Sequence, residues 1–349
     1  MVARAGEDAA LDPIDAALAH ARSVEANPKP SLLELPELLL RRRAGALVLD
    51  VRSPSEYARG HVPGAVNLPA LDDAERAEVG TLWARVDPAR ALARAEELGR
   101  AKLDALLEQA SALRRGREEH PLLVHCWRGG LRSARVAEEL ASHGLSSARL
   151  RGGYKVFRRW ALARFDEPRA LRVVCGPTGS GKTAFLHERA RAGEAVLDLE
   201  ALAHHKGSAF GHLGETPQPT QEQFENELAL AWDASDPARE LWIEDESRNI
   251  GKLLLPERLY AQMQGSPVHV LDVPRAERVA QLVATYGDAD REALAACFRR
   301  IEKRCGRERT QRALVHLAHG ELAAAVEIVL DYYDKAYAHS TVQKRCQAP

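Results

Sequence analysis

The sequence predicts two α/β domains in one chain, each a parallel sheet covered by helices, with further helices added to both. Three observations carry this. Short apolar runs alternate with longer segments of helical composition through both halves. Residues 171–175 run directly into Gly176-x-x-x-x-Gly181-Lys182-Thr183, a phosphate-binding loop whose chemistry requires a strand before it and a helix after it. Residues 122–126 run into a Gly/Arg-rich turn and then a helix with apolar positions at Val136, Ala137 and Leu140.

Taken in order, residues 1–30 are Ala-rich, end in NPKP and read as a loosely ordered extension. The first domain is expected over 31–160, with strands at 46–51 and 122–126, a turn-rich stretch at 61–69 and a helical insertion at 72–115 almost free of Gly and Pro. The second is expected over 161–349, with strands at 171–175, 195–199, 241–244 and 268–272 and a helical tail from 274 to 340. In that tail the aromatics of DYYDKAY are expected to pack a helix, base stacking being the other use open to them.

Composition narrows the function. At 349 residues, 45% hydrophobic and 28% charged, the chain reads as two soluble globular domains. No apolar run reaches the length of a membrane span and the first residues lack a secretory apolar stretch, so a cytoplasmic protein with no membrane partner is expected. The five cysteines (126, 175, 297, 305, 346) form no C-x-x-C pair, which argues against a zinc knuckle or dithiol and suits a reducing compartment. A net charge of −1 gives no global attraction to nucleic acid, so any such binding falls to local patches. One is 149–172, with eight Lys/Arg against two acids, including Lys155, Arg158 and Arg159; the other is 298–312, with seven against two, including Arg300 and Arg304.

The phosphate-binding loop comprises Gly176, Pro177, Thr178, Gly179, Ser180, Gly181, Lys182 and Thr183. Its glycines let the backbone close around phosphate oxygens, Lys182 reaches the terminal phosphates, and the Thr183 hydroxyl serves Mg²⁺ when the metal accompanies them. In the other turn, Cys126 is followed by Trp127, Arg128, Gly129, Gly130 and Arg132. Thiolates form more readily at a helix N-terminus and beside guanidinium groups, so Cys126 is expected to be a nucleophile at the base of an anion-holding loop. Asp50 and Arg52, at a strand end, are expected to support that loop. A third strand ends in Glu244-Asp245-Glu246-Ser247-Arg248, where Asp245 or Glu246 could hold Mg²⁺ through water and Ser247 and Arg248 face the phosphate or a substrate. His204, His205 and His212 lack the i, i+4 spacing and carboxylate of a metal site and read as loop hydrogen bonders; no protein metal cage is expected. Cys175 reads as core.

Asp50-Val51-Arg52, Glu56-Tyr57 and Gly60-His61-Val62-Pro63-Gly64-Ala65-Val66-Asn67-Leu68-Pro69, with Cys126 at the catalytic loop, resemble the rhodanese pattern. Followed by the phosphate-binding loop, and with CWRGG, HHKGSAFG (204–211) and EDESRNIG (244–251) in that order, residues 31–340 resemble the tRNA 2-selenouridine synthases. One departure from ordinary thiosulfate sulfurtransferases is the C-x₅-R spacing of Cys126 to Arg132, a residue longer and suited to a larger or tetrahedral anion. The resemblance implies replacement of the sulfur of 2-thiouridine, at the wobble position of tRNA, by selenium from selenophosphate, through an S-geranylated intermediate made from geranyl diphosphate. It implies no tightly bound cofactor; the diphosphate would lie on the phosphate loop, and Cys126 would carry selenium or attack the activated centre. The alternative is a cysteine phosphatase or sulfurtransferase module fused to an ATP-dependent kinase, since C-x₅-R is also the phosphatase spacing.

Overall fold

The computed structural model describes residues 29–338, so most of the expected N-terminal extension, and Cys346, lie outside the described residues. The chain divides into two compact units, Met1–Arg158 and Arg159–Pro349, and the division falls inside the helix Gly153–Ala163. Both contain parallel sheets, which bears out the mixed α/β expectation.

The first unit contains β1 (Ser31–Leu33), β2 (Val48–Asp50), β3 (Val66–Asn67), β4 (Leu122–His125) and β5 (Ser147–Leu150). They form one sheet in the order β1-β5-β4-β2-β3, every adjacent pair parallel. A parallel sheet is covered on both faces, so its central strands read as unbroken apolar runs. Accordingly all of β2 and β4 is buried. The expected insertion is two helices, Asp73–Arg85 and Pro88–Arg114, broken where Asp87 caps the second and Pro88 opens it.

At the carboxyl ends of β2 and β4 the sequence buries three charged or titratable side chains, Asp50, Arg52 and His125. Asp50 and Arg52 are 0% and 1% exposed, and Arg52 holds Asp50 in a fork: Nε lies 3.0 Å from both carboxylate oxygens and Nη2 2.6 Å from Oδ2. The same Nη2 donates to the Gly60 carbonyl at 2.7 Å. The guanidinium sits 4.0 Å from the centre of the Tyr154 ring, and the Tyr154 N–H donates to the carbonyl of Cys126. His125 is fully buried, with Nε2 3.8 Å from Asp50 Oδ2. Asp50 and Arg52 are thus linked to the cysteine turn through Tyr154.

The second unit contains β6 (Leu171–Cys175), β7 (Ala195–Leu197), β8 (Leu241–Glu244), β9 (Asn249–Ile250), β10 (Leu253–Leu254) and β11 (Val268–Val270). Its main sheet runs β11-β6-β8-β7, all parallel, and β9 with β10 forms a small antiparallel ribbon. Cys175 is buried at the end of β6. The expected helical tail is five helices, Arg275–Tyr286, Arg291–Arg300, Glu302–Cys305, Arg307–Ala318 and Leu322–Ala338. Their apolar faces meet in a core that includes Phe210, Leu294, Phe298 and Val329, with Tyr332 and Tyr333 packed against it. No helix among the described residues is long and apolar enough to cross a membrane.

The buried Asp50 cluster gives the first unit an acid-sensitive core. Burial holds the His125 imidazole below its ordinary value of 6.5, so below about pH 6.5 the unfolded chain takes a proton that the folded one refuses. Burial pushes Asp50 the other way, but His125 and the Arg52 hydrogen bonds hold it below the usual carboxylate range, so its contribution is lost at still lower pH. Amide protection of β2 and β4, measured by hydrogen exchange, should fall as the pH drops below about 6.5. Asp50→Ala, which strands a buried guanidinium, should lower that protection by about 3–5 kcal/mol at neutral pH.

Candidate functional site

Each unit carries a strand-turn-helix in which, among the described residues, most of the turn amides have no main-chain partner. In the first, β4 delivers Cys126, and the helix Leu131–Ser142 begins five residues later. Among the described residues, none of the N–H groups from Trp127 to Arg132 donates to a main-chain carbonyl. The turn is held open by glycine geometry. Gly129 has φ +67°, and a Cβ there would lie 2.7 Å from the Leu150 carbonyl oxygen; a Cβ on Gly153, φ +61°, would collide with the Cys126 carbonyl and the Gly129 nitrogen. Lys155 N–H donates to the Trp127 carbonyl, which ties down the other edge.

The Cys126 thiol is 4% exposed, and its Sγ lies 3.3 Å from Ser133 Oγ, which in turn is 3.1 Å from the Gly130 carbonyl. Arg132 reaches Glu56 rather than open solvent, with Nη1 2.6 Å from Oε2 and Nη2 3.3 Å from Oε1. Burial lowers the Arg132 value, but the Glu56 bonds more than offset it, and its guanidinium stays charged. Glu56 is also the acid of a capping box at the helix Pro54–Arg59, so a hydrogen-bonded strut positions Arg132. Arg128 is exposed, and Trp127, 36% exposed, tilts against Tyr154.

In the second unit, β6 ends at Cys175, and the helix Lys182–Arg191 begins after Gly181. Gly179 and Gly181 have φ +81° and +76°, and a Cβ on Gly176 would collide with Ser180 Oγ. Ser180 N–H donates to the Pro177 carbonyl; the N–H groups of Thr178, Gly179, Gly181, Lys182 and Thr183 have no main-chain acceptor among the described residues. Ser180 Oγ is buried without a partner. These donors and the helix N-terminus form a cradle whose geometry can receive a phosphate.

Three acids lie behind it. Thr183 Oγ1 donates to Glu200 Oε2 at 2.9 Å, and Glu200 N–H donates to Glu244 Oε1 at 2.8 Å. Glu246 is buried, and the backbone of Gly207, φ +64°, is held so close that a Cβ would lie 2.5 Å from its carboxylate. Burial raises all three, Glu244 well above the ordinary value and Glu246 to about 8, with Glu200 and Asp245 adding to the latter and Lys182 opposing. Of the two acids that the sequence left equivalent, Glu246 is the buried one and Asp245 is half-buried; Ser247 and Arg248 are exposed, with Ser247 Oγ on the Asn249 carbonyl at 2.6 Å.

The loop is also braced from the C-terminal helices. Arg278, 5% exposed, donates to the Thr178 carbonyl at 3.1 Å and forks onto Asp334 with two 2.7 Å bonds. Thr178 borders a narrow cavity of about 40 Å³ whose apolar wall includes Phe210, Leu282, Tyr286, Phe298, Val329 and Tyr333.

Sequence reasoning missed Glu200, Arg278, Ser133, Gly153 and Tyr154. Only Gly153 had a visible signal, as half of a Gly152-Gly153 pair within the basic stretch. His204 Nδ1 lies 2.9 Å from Thr216 Oγ1 and 3.2 Å from the Pro217 carbonyl, a loop hydrogen bond; His212 Nε2 lies 3.9 Å from Cys297 Sγ. Lys155, Arg159, Arg300 and Arg304 are exposed and Arg158 is half-buried.

Comparison with known proteins agrees with this architecture. The family described as "tRNA 2-selenouridine synthase AAA domain" matches residues 169–348, and the rhodanese-like domain matches residues 34–159. Among relatives named tRNA 2-selenouridine synthase, the chain is 38% identical to that of Nitrosomonas europaea over 74% of this chain and 68% of the other. It is 33% identical to that of Marinobacter nauticus over 85% and 89%, and 33% identical to that of Chromohalobacter salexigens over 90% and 92%. The chain belongs to the tRNA 2-selenouridine synthase family.

Proposed function

We propose that this chain is a tRNA-modifying transferase that replaces the sulfur of 2-thiouridine at the wobble position by selenium from selenophosphate, after S-geranylation by geranyl diphosphate. The observation that carries the geranyl step is the phosphate cradle's junction with an apolar cavity at Thr178. A nucleotide on this loop would need donors and acceptors to read its base. The cavity wall offers no amide, carboxylate or guanidinium; its polar groups are hydroxyls of Thr178, Ser208, Tyr286 and Tyr333. A hydrocarbon tail suits such a wall. At about 40 Å³ the cavity is narrower than a ten-carbon chain, so seating one requires the half-buried Leu282 to rotate aside.

The chemistry follows from the groups present. A thiocarbonyl sulfur leaves poorly as sulfide, whereas an alkylated sulfur leaves as a neutral thiol. Lys182 and the unpaired amides would stabilise charge developing on the departing diphosphate. Mg²⁺ fits beside them: Thr183 Oγ1 and Glu246 would hold it with the phosphates, and it would neutralise that same charge. Cys126, under its own amide cradle, would act in the selenium step, and the exposed Lys155, Arg159, Arg300 and Arg304 would meet tRNA phosphates.

The test is mass spectrometry of nucleosides from thiolated tRNA incubated with the protein, geranyl diphosphate and selenophosphate. The reading expects S-geranyl-2-thiouridine and then 2-selenouridine; an unchanged nucleoside overturns it. Lys182→Ala should reduce geranylation about a hundredfold or more, while Cys126→Ala should leave geranylation and stop selenium incorporation. Leu282→Asp, placing a carboxylate in the apolar wall, should weaken geranyl diphosphate binding with little effect on inorganic diphosphate, as isothermal titration would show.

Glu246 gives the second unit a pH response opposite to that of the first. Its carboxyl is raised in the folded state to about 8, so between about pH 4.5 and about 8 the folded protein binds the extra proton. Stability is therefore full below that window and falls as the pH rises through it. Amide protection of β6 and β8 in the unliganded protein should decline from pH 5 to pH 8, and Glu246→Gln should flatten the decline.

A further inference from the structure

The turn after β4 gathers a thiol, a hydroxyl, a fixed guanidinium and open amides. His125-Cys126 is followed by five residues, then Arg132 and Ser133, and the amides of residues 127–132 point at no carbonyl. The guanidinium of Arg132 is fixed by Glu56 at the rim of the turn, and the Ser133 hydroxyl lies 3.3 Å from the Cys126 sulfur. A carrier of selenium needs none of the last feature. A thiolate that must leave again does: the Ser133 hydroxyl, which donates to the Gly130 carbonyl in the resting site, can turn its proton to a departing thiolate 3.3 Å away and stabilise it. Resting on the selenophosphate reading above, we propose that Cys126 takes the phosphoryl group of selenophosphate and not its selenium, so that selenium is released as hydroselenide beside the activated uridine.

The balance favours this route. The Cys126 thiolate attacks phosphorus; an S–P bond forms as the P–Se bond breaks, and the P–Se electron pair leaves with selenium and its proton as hydroselenide. Water then attacks phosphorus. The S–P pair returns to Cys126 as thiolate under the Ser133 hydroxyl, and dihydrogen phosphate departs with both protons of the water. Neither step changes an oxidation state. Transfer of selenium to sulfur would instead leave the P–Se pair on phosphorus and expel phosphite.

The experiment treats the full-length protein with inorganic thiophosphate, and separately with selenophosphate under argon. Phosphorus products are read by ³¹P NMR and the Cys126 peptide by rapid-quench mass spectrometry. Orthophosphate, a chalcogenide released in equal amount, and a phosphoryl group on the Cys126 peptide are expected, all lost in Cys126→Ala. Ser133→Ala should still phosphorylate Cys126 but turn over about a hundredfold more slowly, so that the phosphorylated peptide accumulates; Ser133→Thr should restore turnover. Phosphite with a persulfide or selenosulfide on Cys126 overturns the proposal, as does failure of the protein to consume either anion. The tRNA assay above separates the two readings: Cys126-dependent phosphate release with unmodified tRNA would sink the tRNA reading alone, and selenouridine formed without phosphorylated Cys126 would sink this proposal alone.

Discussion

Both sites depend on one constraint: main-chain N–H groups left without carbonyl partners where a parallel strand turns into a helix. Such a group costs about 1–3 kcal/mol when kept from water and unpaired, so a folded chain retains a cluster of them only where packing dictates the turn. Glycine supplies that packing. Gly129 and Gly153 bring two backbone segments closer than any Cβ allows, and Gly179 and Gly181 take positive φ in the other turn. A side chain at Gly153 would push on the Cys126 carbonyl itself. The anion sites are thus shapes of backbone first and arrays of charge second.

Behind each turn stands a buried arginine that never faces the anion. Arg52, forked onto Asp50 and pressed on the Tyr154 ring, fixes the residue whose N–H holds the Cys126 carbonyl. Arg278, forked onto Asp334, holds the Thr178 carbonyl. The fully buried Arg52–Asp50 pair would cost about 3–5 kcal/mol to break, whereas Asp334 is 31% exposed, so its pair with Arg278 is partly solvated. Neither pair adds net charge to its loop. Within the two turns, Arg128 and Lys182 are cations outside such forks.

The sequence reading was strongest where chemistry and periodicity coincide. Strands ending in Cys126, Cys175 and Glu244 lie within a residue or two of their expected positions, because each is an apolar run ending at a motif. β1 and β5 were not legible: β1 is three residues long, and Ser147–Leu150 merges at Arg149 into a run dominated by arginines whose charge reads as a nucleic-acid patch. Glu200 and Arg278 were invisible for another reason. One is a single acid after a short strand and the other a single base on an amphipathic helix, and only three-dimensional proximity to Thr183 and Thr178 gives them roles. Arg132 was legible as a charge in the cysteine loop, but its tie to Glu56, 76 residues away, was not.

The two turns also meet negative charge in opposite ways. Around Cys126 the charge balance is already favourable: Glu56 neutralises Arg132 in part, Arg128 is exposed, and an incoming dianion finds amides and cations. Around Lys182 it is not, for Glu200, Glu244 and Glu246 outnumber the lysine. A diphosphate could not settle among three ionised carboxylates. Burial favours the protonated carboxyls, raising Glu200, Glu244 and Glu246, the last to about 8, and so lessens the negative charge beside Lys182. On the proposed reading, Mg²⁺ beside these carboxyls would favour their ionised forms, and its entry with an anion would be linked to release of a proton. On that reading the acids that oppose an anion would be what makes its binding conditional on the metal.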